Sequence, residues 1–148
     1  MIACSNKVVL PGLINTHTNL GMHSLKGIAD EGELFEWLAK IHDAEGKLTE
    51  KDVYQNTLDG AREALRFGTT LVYDSYKYPE ARIKALGMAG IRALISSTVK
   101  DKKSLNIAKK LLKIKHDLIK PVLSVHSLFE TSEDIIKEVI ALSEKEQV

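Results

Sequence analysis

The sequence predicts an α/β fold whose parallel sheet is built from about four βα units. Three observations carry this: short β-rich apolar segments alternate with amphipathic helical ones, Pro and Gly punctuate the helix ends, and polar residues gather where each strand stops. Parallel strands joined by helices require right-handed crossovers and bring all strand C-termini to one face.

The first strand is expected along Val8-Val9-Leu10 and Leu13-Ile14, kinked at Pro11-Gly12 and ending at Asn15-Thr16-His17. A long Gly-bearing connection follows from Thr18 to Leu48. It carries one helical piece from Glu33 to about Ala44, with Leu34, Trp37, Leu38 and Ile41 at i, i+3, i+4 and i+7. Thr49-Glu50-Lys51-Asp52 has the form of a capping box, and Val53, Leu58, Ala61, Ala64 and Leu65 give the next helix its stripe, closed before Gly68. Thr69 to Tyr73 reads as a strand ending on Asp74-Ser75, followed by a helix that opens at Pro79 and stops at Gly87 to Gly90. Two further units follow. Ile91 to Ile95 precedes a helix over Lys103–Leu118, and Val122 to Val125 precedes a helix from Ser132 to about Lys145. The strand ends then offer His17, Asn19, Asp74, Ser96 to Thr98 and His126 to a common face.

Composition narrows the class. In 148 residues, 21 Lys and Arg stand against 20 Asp and Glu, a net charge of +1 that gives nucleic acid or an anionic membrane no field to follow. With 44% hydrophobic residues the chain is expected to fold as one domain around one core. No window reaches the roughly 18 apolar residues of a membrane span. The lone Cys4 cannot form an internal disulfide, and no leader pattern opens the chain, so a cytoplasmic setting is expected. No phosphate-binding glycine motif follows a strand, and no nucleophile elbow surrounds a serine.

His17-Thr18-Asn19 stands at the end of the first strand, where a regular pleat points residues 17 and 19 to the same side. Such a pair can share a metal. On the residues alone the better reading is that His17 caps the strand by hydrogen-bonding loop backbone, because an Asn carbonyl suits hard ions and Zn²⁺ prefers His, Cys and carboxylates.

The residues from Val9 to Leu20, Val-Leu-Pro-Gly-Leu-Ile-Asn-Thr-His-Thr-Asn-Leu, resemble the opening of the amidohydrolase superfamily barrel. There a Pro-Gly-apolar-apolar-(Asn/Asp)-x-His-x-His run marks the first strand. Met22, Leu25-Lys26-Gly27-Ile28-Ala29-Asp30 and Glu36-Trp37-Leu38 extend the resemblance toward the branch of S-adenosylhomocysteine and methylthioadenosine deaminases, guanine deaminase and triazine chlorohydrolases. Phe67-Gly68-Thr69-Thr70, Gly87-Met88-Ala89-Gly90-Ile91-Arg92-Ala93 and His126-Ser127-Leu128-Phe129-Glu130-Thr131-Ser132 are similar to its approaches to strands two and three and its strand-four motif.

The resemblance implies about the first half of a TIM-like (β/α)8 barrel, a single partial domain over 1–148. Ile2 to Lys7 resembles the linker out of a flanking β-sandwich, and strands five to eight would lie beyond Val148. The length agrees, since a closed eight-unit barrel takes roughly 250 residues. It also implies a divalent metal, Zn²⁺ or Fe²⁺, that activates water for attack on a heterocycle, in hydrolysis of non-peptide C–N bonds or dechlorination.

Carried over by position, the first two metal ligands fall on His17 and Asn19, with Asn19 departing from the expected His. Substrate contacts fall on Glu45 and His126; each is alternatively a solvated loop carboxylate or a strand-end histidine satisfied by its neighbours. Ser96-Ser97-Thr98 stand where some members have an arginine, and Leu128 replaces the Pro of the strand-four motif. No catalytic acid/base is expected within the chain. The partner is then a small heterocyclic substrate. Alternatively the chain is a non-catalytic half barrel, a binding or structural subunit that buries its open edges as a homo-oligomer or against a missing C-terminal half.

Overall fold

The computed structural model describes residues 5–29 and 31–148, so Cys4, Asp30 and the start of the expected linker lie outside it. Strands β1 (Leu13–Thr18), β2 (Thr69–Ser75) and β3 (Arg92–Ser96) are joined by a further strand, β5 (Ile119–Pro121), into one four-stranded sheet. Its order is β1-β2-β3-β5 and every pairing is parallel, as the alternating pattern predicts. A second parallel pair, β4 (Thr98–Val99) with β6 (Ser124–Val125), continues two of these strands past short breaks.

Helix α1 (Leu34–Gly46) lies in the long connection, and α2 (Glu50–Arg66), α3 (Pro79–Ala89), α4 (Lys102–Leu111) and α5 (Glu133–Glu146) follow the strands. The capping box of α2 is present in full. The Thr49 hydroxyl accepts from the Asp52 amide, and the Asp52 carboxylate accepts from the Thr49 amide at 2.9 Å. Gly68, at φ +85°, takes the left-handed position after α2 that a β-carbon disfavours.

Three expectations need correction, and one element was not foreseen. Val8 to Leu10 are not strand and lie exposed; β1 starts only after Pro11-Gly12. Helix α4 ends at Leu111 rather than Leu118, its last turn tightening through Ile114 N–H to Leu111 O at 3.0 Å, because the chain must still return to the sheet, where Leu118 O accepts from Ala93 N–H. The strand expected over Val122–Val125 begins three residues earlier and is broken in two, since it pairs first with β3 and then with β4. A 3-10 helix at Leu20–Leu25 was not foreseen.

The buried apolar residues also form two clusters rather than one core. Val72, Ile83, Leu86, Ile91, Ala93, Ile95 and Leu111 pack between the sheet and α2 to α4; Val99, Leu105, Ala108, Ile135 and Val139 join α4 to α5. β1 is an edge strand whose Leu13 and Ile14 are each 62% exposed, so one flank of the sheet is open. Among the described residues no helix is long and apolar enough to cross a membrane.

Candidate functional site

Most of the expected site residues lie about the C-terminal ends of the parallel strands, and one ion pair organises that end of the sheet. Asp74, at the end of β2, and Arg82, in α3, are both fully buried and meet at 2.6 Å. Asp74 Oδ1 accepts from Thr18 Oγ1 at 3.0 Å and from the Leu20 amide at 2.8 Å, which turns the chain out of β1 into the 3-10 helix. Arg82 uses its whole donor fork. Nη1 reaches Asp74 Oδ2 and Asp74 O, Nη2 reaches Tyr76 O and Ser96 O, and Nε reaches Lys77 O. Burial lowers the Arg82 pKa and Asp74 opposes that shift, so the pair is a compensated charge rather than a free acid. Asp74 was legible as a strand-end polar residue; Arg82 was not, although a charge inside the apolar Ala81-Arg82-Ile83 run was its signal.

His17 lies in β1 and is exposed, its amide bonded to Asn15 Oδ1 at 3.2 Å. Asn19 lies just past the strand. The pleat expected to align the two is irregular, with a register shift between Asn15 and Thr18. The Asn19 side-chain amide lies against two backbone carbonyls, Ser75 O and Thr18 O, and oriented so that its own polar atoms are satisfied its nitrogen donates to both. Asn19 thus clasps the ends of β1 and β2. An implied Zn²⁺ site needs about four His, Cys or carboxylate donors. His17 with an amide committed to carbonyls does not supply them, and among the described residues no group of three or more His, Cys, Asp or Glu is gathered. By themselves the described residues do not make up a zinc ligand set.

His126 follows β6 and is held by Val99 O, which accepts its amide at 2.9 Å. Its Nε2 lies 3.0 Å from Glu130 Oε2. Ser127 Oγ accepts the Glu130 amide at 3.1 Å and forms that turn. Glu45 sits in the last turn of α1, where its carbonyl accepts from Lys77 Nζ. Its carboxylate lies beside the Tyr76 hydroxyl without the alignment of a full hydrogen bond. Burial first, and this carboxylate second, push the phenol above its ordinary value. Tyr76 and Lys77 were missed by sequence reading. No sequence signal marked them; in the fold the Tyr76 ring packs so closely on Gly21 that a Cβ there would lie 2.4 Å from it.

Hydroxyls line the sheet between these groups. Tyr73 Oη and Ser124 Oγ each meet Ser96 Oγ, at 3.0 and 2.9 Å, and Ser75 Oγ meets Thr98 Oγ1 at 3.0 Å. Along β1 a groove of about 410 Å³ runs against the 3-10 helix and α2, lined by Asn15, Thr18, Asn19, Leu20, His23 and Glu63 among others.

Fold and face together define one flank of a parallel α/β barrel with its polar rim. Residues 8–148 match the amidohydrolase family, and the chain belongs to that family. It is 36% identical over 151 residues to a 5-methylthioadenosine/S-adenosylhomocysteine deaminase of Caldicellulosiruptor saccharolyticus, covering 98% of this chain and 35% of that protein. It is likewise 36% identical to a 5′-deoxyadenosine deaminase of Methanocaldococcus jannaschii, covering 97% of this chain and 37% of the relative. Among solved structures, a zinc-bound adenosine deaminase from Xanthomonas campestris superposes with a TM-score of 0.87 at 25% identity, over 93% of this chain and 34% of that one. The zinc-bound atrazine chlorohydrolase of Arthrobacter aurescens shares the fold, with a TM-score of 0.83 at 17% identity, over 94% of this chain and 39% of that one. The chain spans little more than a third of the length of these relatives.

Proposed function

We propose that this chain is the first-half wall of a barrel hydrolase acting on non-peptide C–N bonds, with a purine nucleoside of the 5′-deoxyadenosine type as its substrate class. In this reading His17 and Asn19 occupy the first two ligand positions, and Glu45 and His126 face the substrate. The remaining ligands and the acid/base come from strands five to eight, and the 148 residues act as a single partial domain. Without them the chain retains metal weakly and does not turn over. The observation that carries this is Asn19 at the second ligand position, its amide set against Ser75 O and Thr18 O, where it ties the ends of β1 and β2 and offers a metal no imidazole nitrogen.

The test is ammonia release from 5′-deoxyadenosine, 5′-methylthioadenosine, adenosine and guanine by the purified chain with Zn²⁺ or Fe²⁺ added. The expected result is no turnover above the protein-free control; turnover on any of the four contradicts the proposal.

A second reading is a non-catalytic half barrel that associates with itself in the cytoplasm. It draws support from the open flank of β1 and the exposed Val8, Val9 and Leu10. Sedimentation velocity separates the two, since concentration-dependent association favours this reading and a stable monomer counts against it.

A further inference from the structure

We propose that Lys77 is the positioning residue that sets the Glu45 carboxylate at the rim, by clamping the C-terminus of α1 to the loop after β2. What Glu45 does there rests on the reading above; how it is placed does not.

Packing alone leaves α1 weakly fixed. Of its side chains only Ile41 is buried, while Leu34 and Phe35 point to solvent. The end of the helix has a second deficit. Its last carbonyls carry the negative end of the macrodipole and are closed by backbone bonds from Lys47 N–H to Ala44 O and Leu48 N–H to Glu45 O; the last turn holds no basic residue and does hold Glu45 itself, while the Lys47 amine at the cap is paired with Asp43. Lys77 supplies the missing cation from another element. Its Nζ donates to Glu45 O and to Leu48 O, the latter at 3.3 Å. The same amine stands 5.9 and 5.6 Å from the ring centres of Tyr76 and Tyr78, within reach of both π faces.

A clamp works only if its own base is rigid, and this one is. Arg82 holds the carbonyls on either side of the Lys77 amide, Tyr76 O at 2.6 Å and Lys77 O at 3.1 Å, and is itself anchored on buried Asp74. Tyr78 adopts a left-handed backbone, φ +54°, a conformation costing a non-glycine residue about 1 kcal/mol or more and kept only where its surroundings dictate it. Its carbonyl accepts the Arg82 amide. The chain of support therefore runs from the buried ion pair, through the Tyr76–Tyr78 loop and the Lys77 amine, to the carbonyl of Glu45. The raised Tyr76 phenol is consistent with the carboxylate that arrives beside it.

Hydrogen exchange by mass spectrometry on the 148-residue chain tests the clamp, with K77M, K77R and E45Q. In K77M the amides of residues 34–48 should exchange about tenfold faster while those of 50–66 keep their rates. K77R, whose guanidinium still donates to two carbonyls, should stay within about twofold of the parent. The Tyr76 ring resonances should move in K77M and E45Q, and stay near the parent position in K77R. Unchanged exchange in K77M, equal loosening in K77R, or loss of protection across the whole chain would each overturn the proposal. E45Q should leave exchange at residues 34–48 unaltered, and loosening there would also count against the clamp. Nucleoside affinity in E45Q bears only on the substrate role, so the two readings fail separately.

Discussion

At the scale of single residues, the Asp74–Arg82 pair is the feature on which most else depends. Both side chains are buried, every Arg82 donor is used, and the acceptors belong to β2, β3 and the loop after β2. Removing one member leaves the other charged and unpaired, so D74A should cost about 3–5 kcal/mol in urea unfolding. A loss under 1 kcal/mol would show that the pair is not the support described. Tyr76 adds a pH dependence at the alkaline end. Its phenol stays neutral in the fold while the unfolded chain ionises near 10, so this contribution is intact below that pH and declines as pH rises above it. Y76F should flatten the alkaline fall in thermal midpoint, and an unchanged slope would contradict the assignment. Sequence could list Asp74 and His126 because strand ends are readable from β-rich runs. It could not pair Asp74 with Arg82 or His126 with Glu130, because those pairings depend on crossover geometry and a turn that spacing does not encode.

At the scale of elements, the helix starts were legible and the stops less so. Thr49 and Asp52 announced α2, and T49A should destabilise the chain by about 1 kcal/mol. A second box at α4, Asp101 with Ser104, was not recognised. Hydrogen bonds from Thr49 and Ser104, respectively, are the main cause that holds the Asp52 and Asp101 carboxyls below the usual range. Their contribution is therefore present above about pH 4 and is lost as pH falls through the lowered values. D101N should flatten part of the acid slope of the thermal midpoint, and an unaltered acid profile would show that the box contributes nothing. The overlong expectation for α4 has a physical cause. Lys113 to His116 continue a helix-compatible pattern, but His116 packs against Gly87 and its Nδ1 accepts the Leu118 amide, which diverts the chain toward β5. The single strand expected over 122–125 failed for a related reason, since Pro121 has no amide hydrogen and the ladder shifts there from β3 to β4.

At the scale of the whole molecule, alternation of strand and helix sufficed for the parallel α/β sheet, while its order β1-β2-β3-β5 came only with the structure. The split of the buried residues into two clusters was not visible, because periodicity says which residues turn inward without saying which of them meet. The open flank at β1, with Leu13 and Ile14 largely exposed, is what an isolated first half of a barrel presents. The most direct measurement of the central claim is the zinc content of the purified chain after dialysis against metal-free buffer, with N19H alongside. The account predicts well under one Zn²⁺ per native chain and a higher retained fraction in N19H. One tightly held Zn²⁺ per native chain would contradict it.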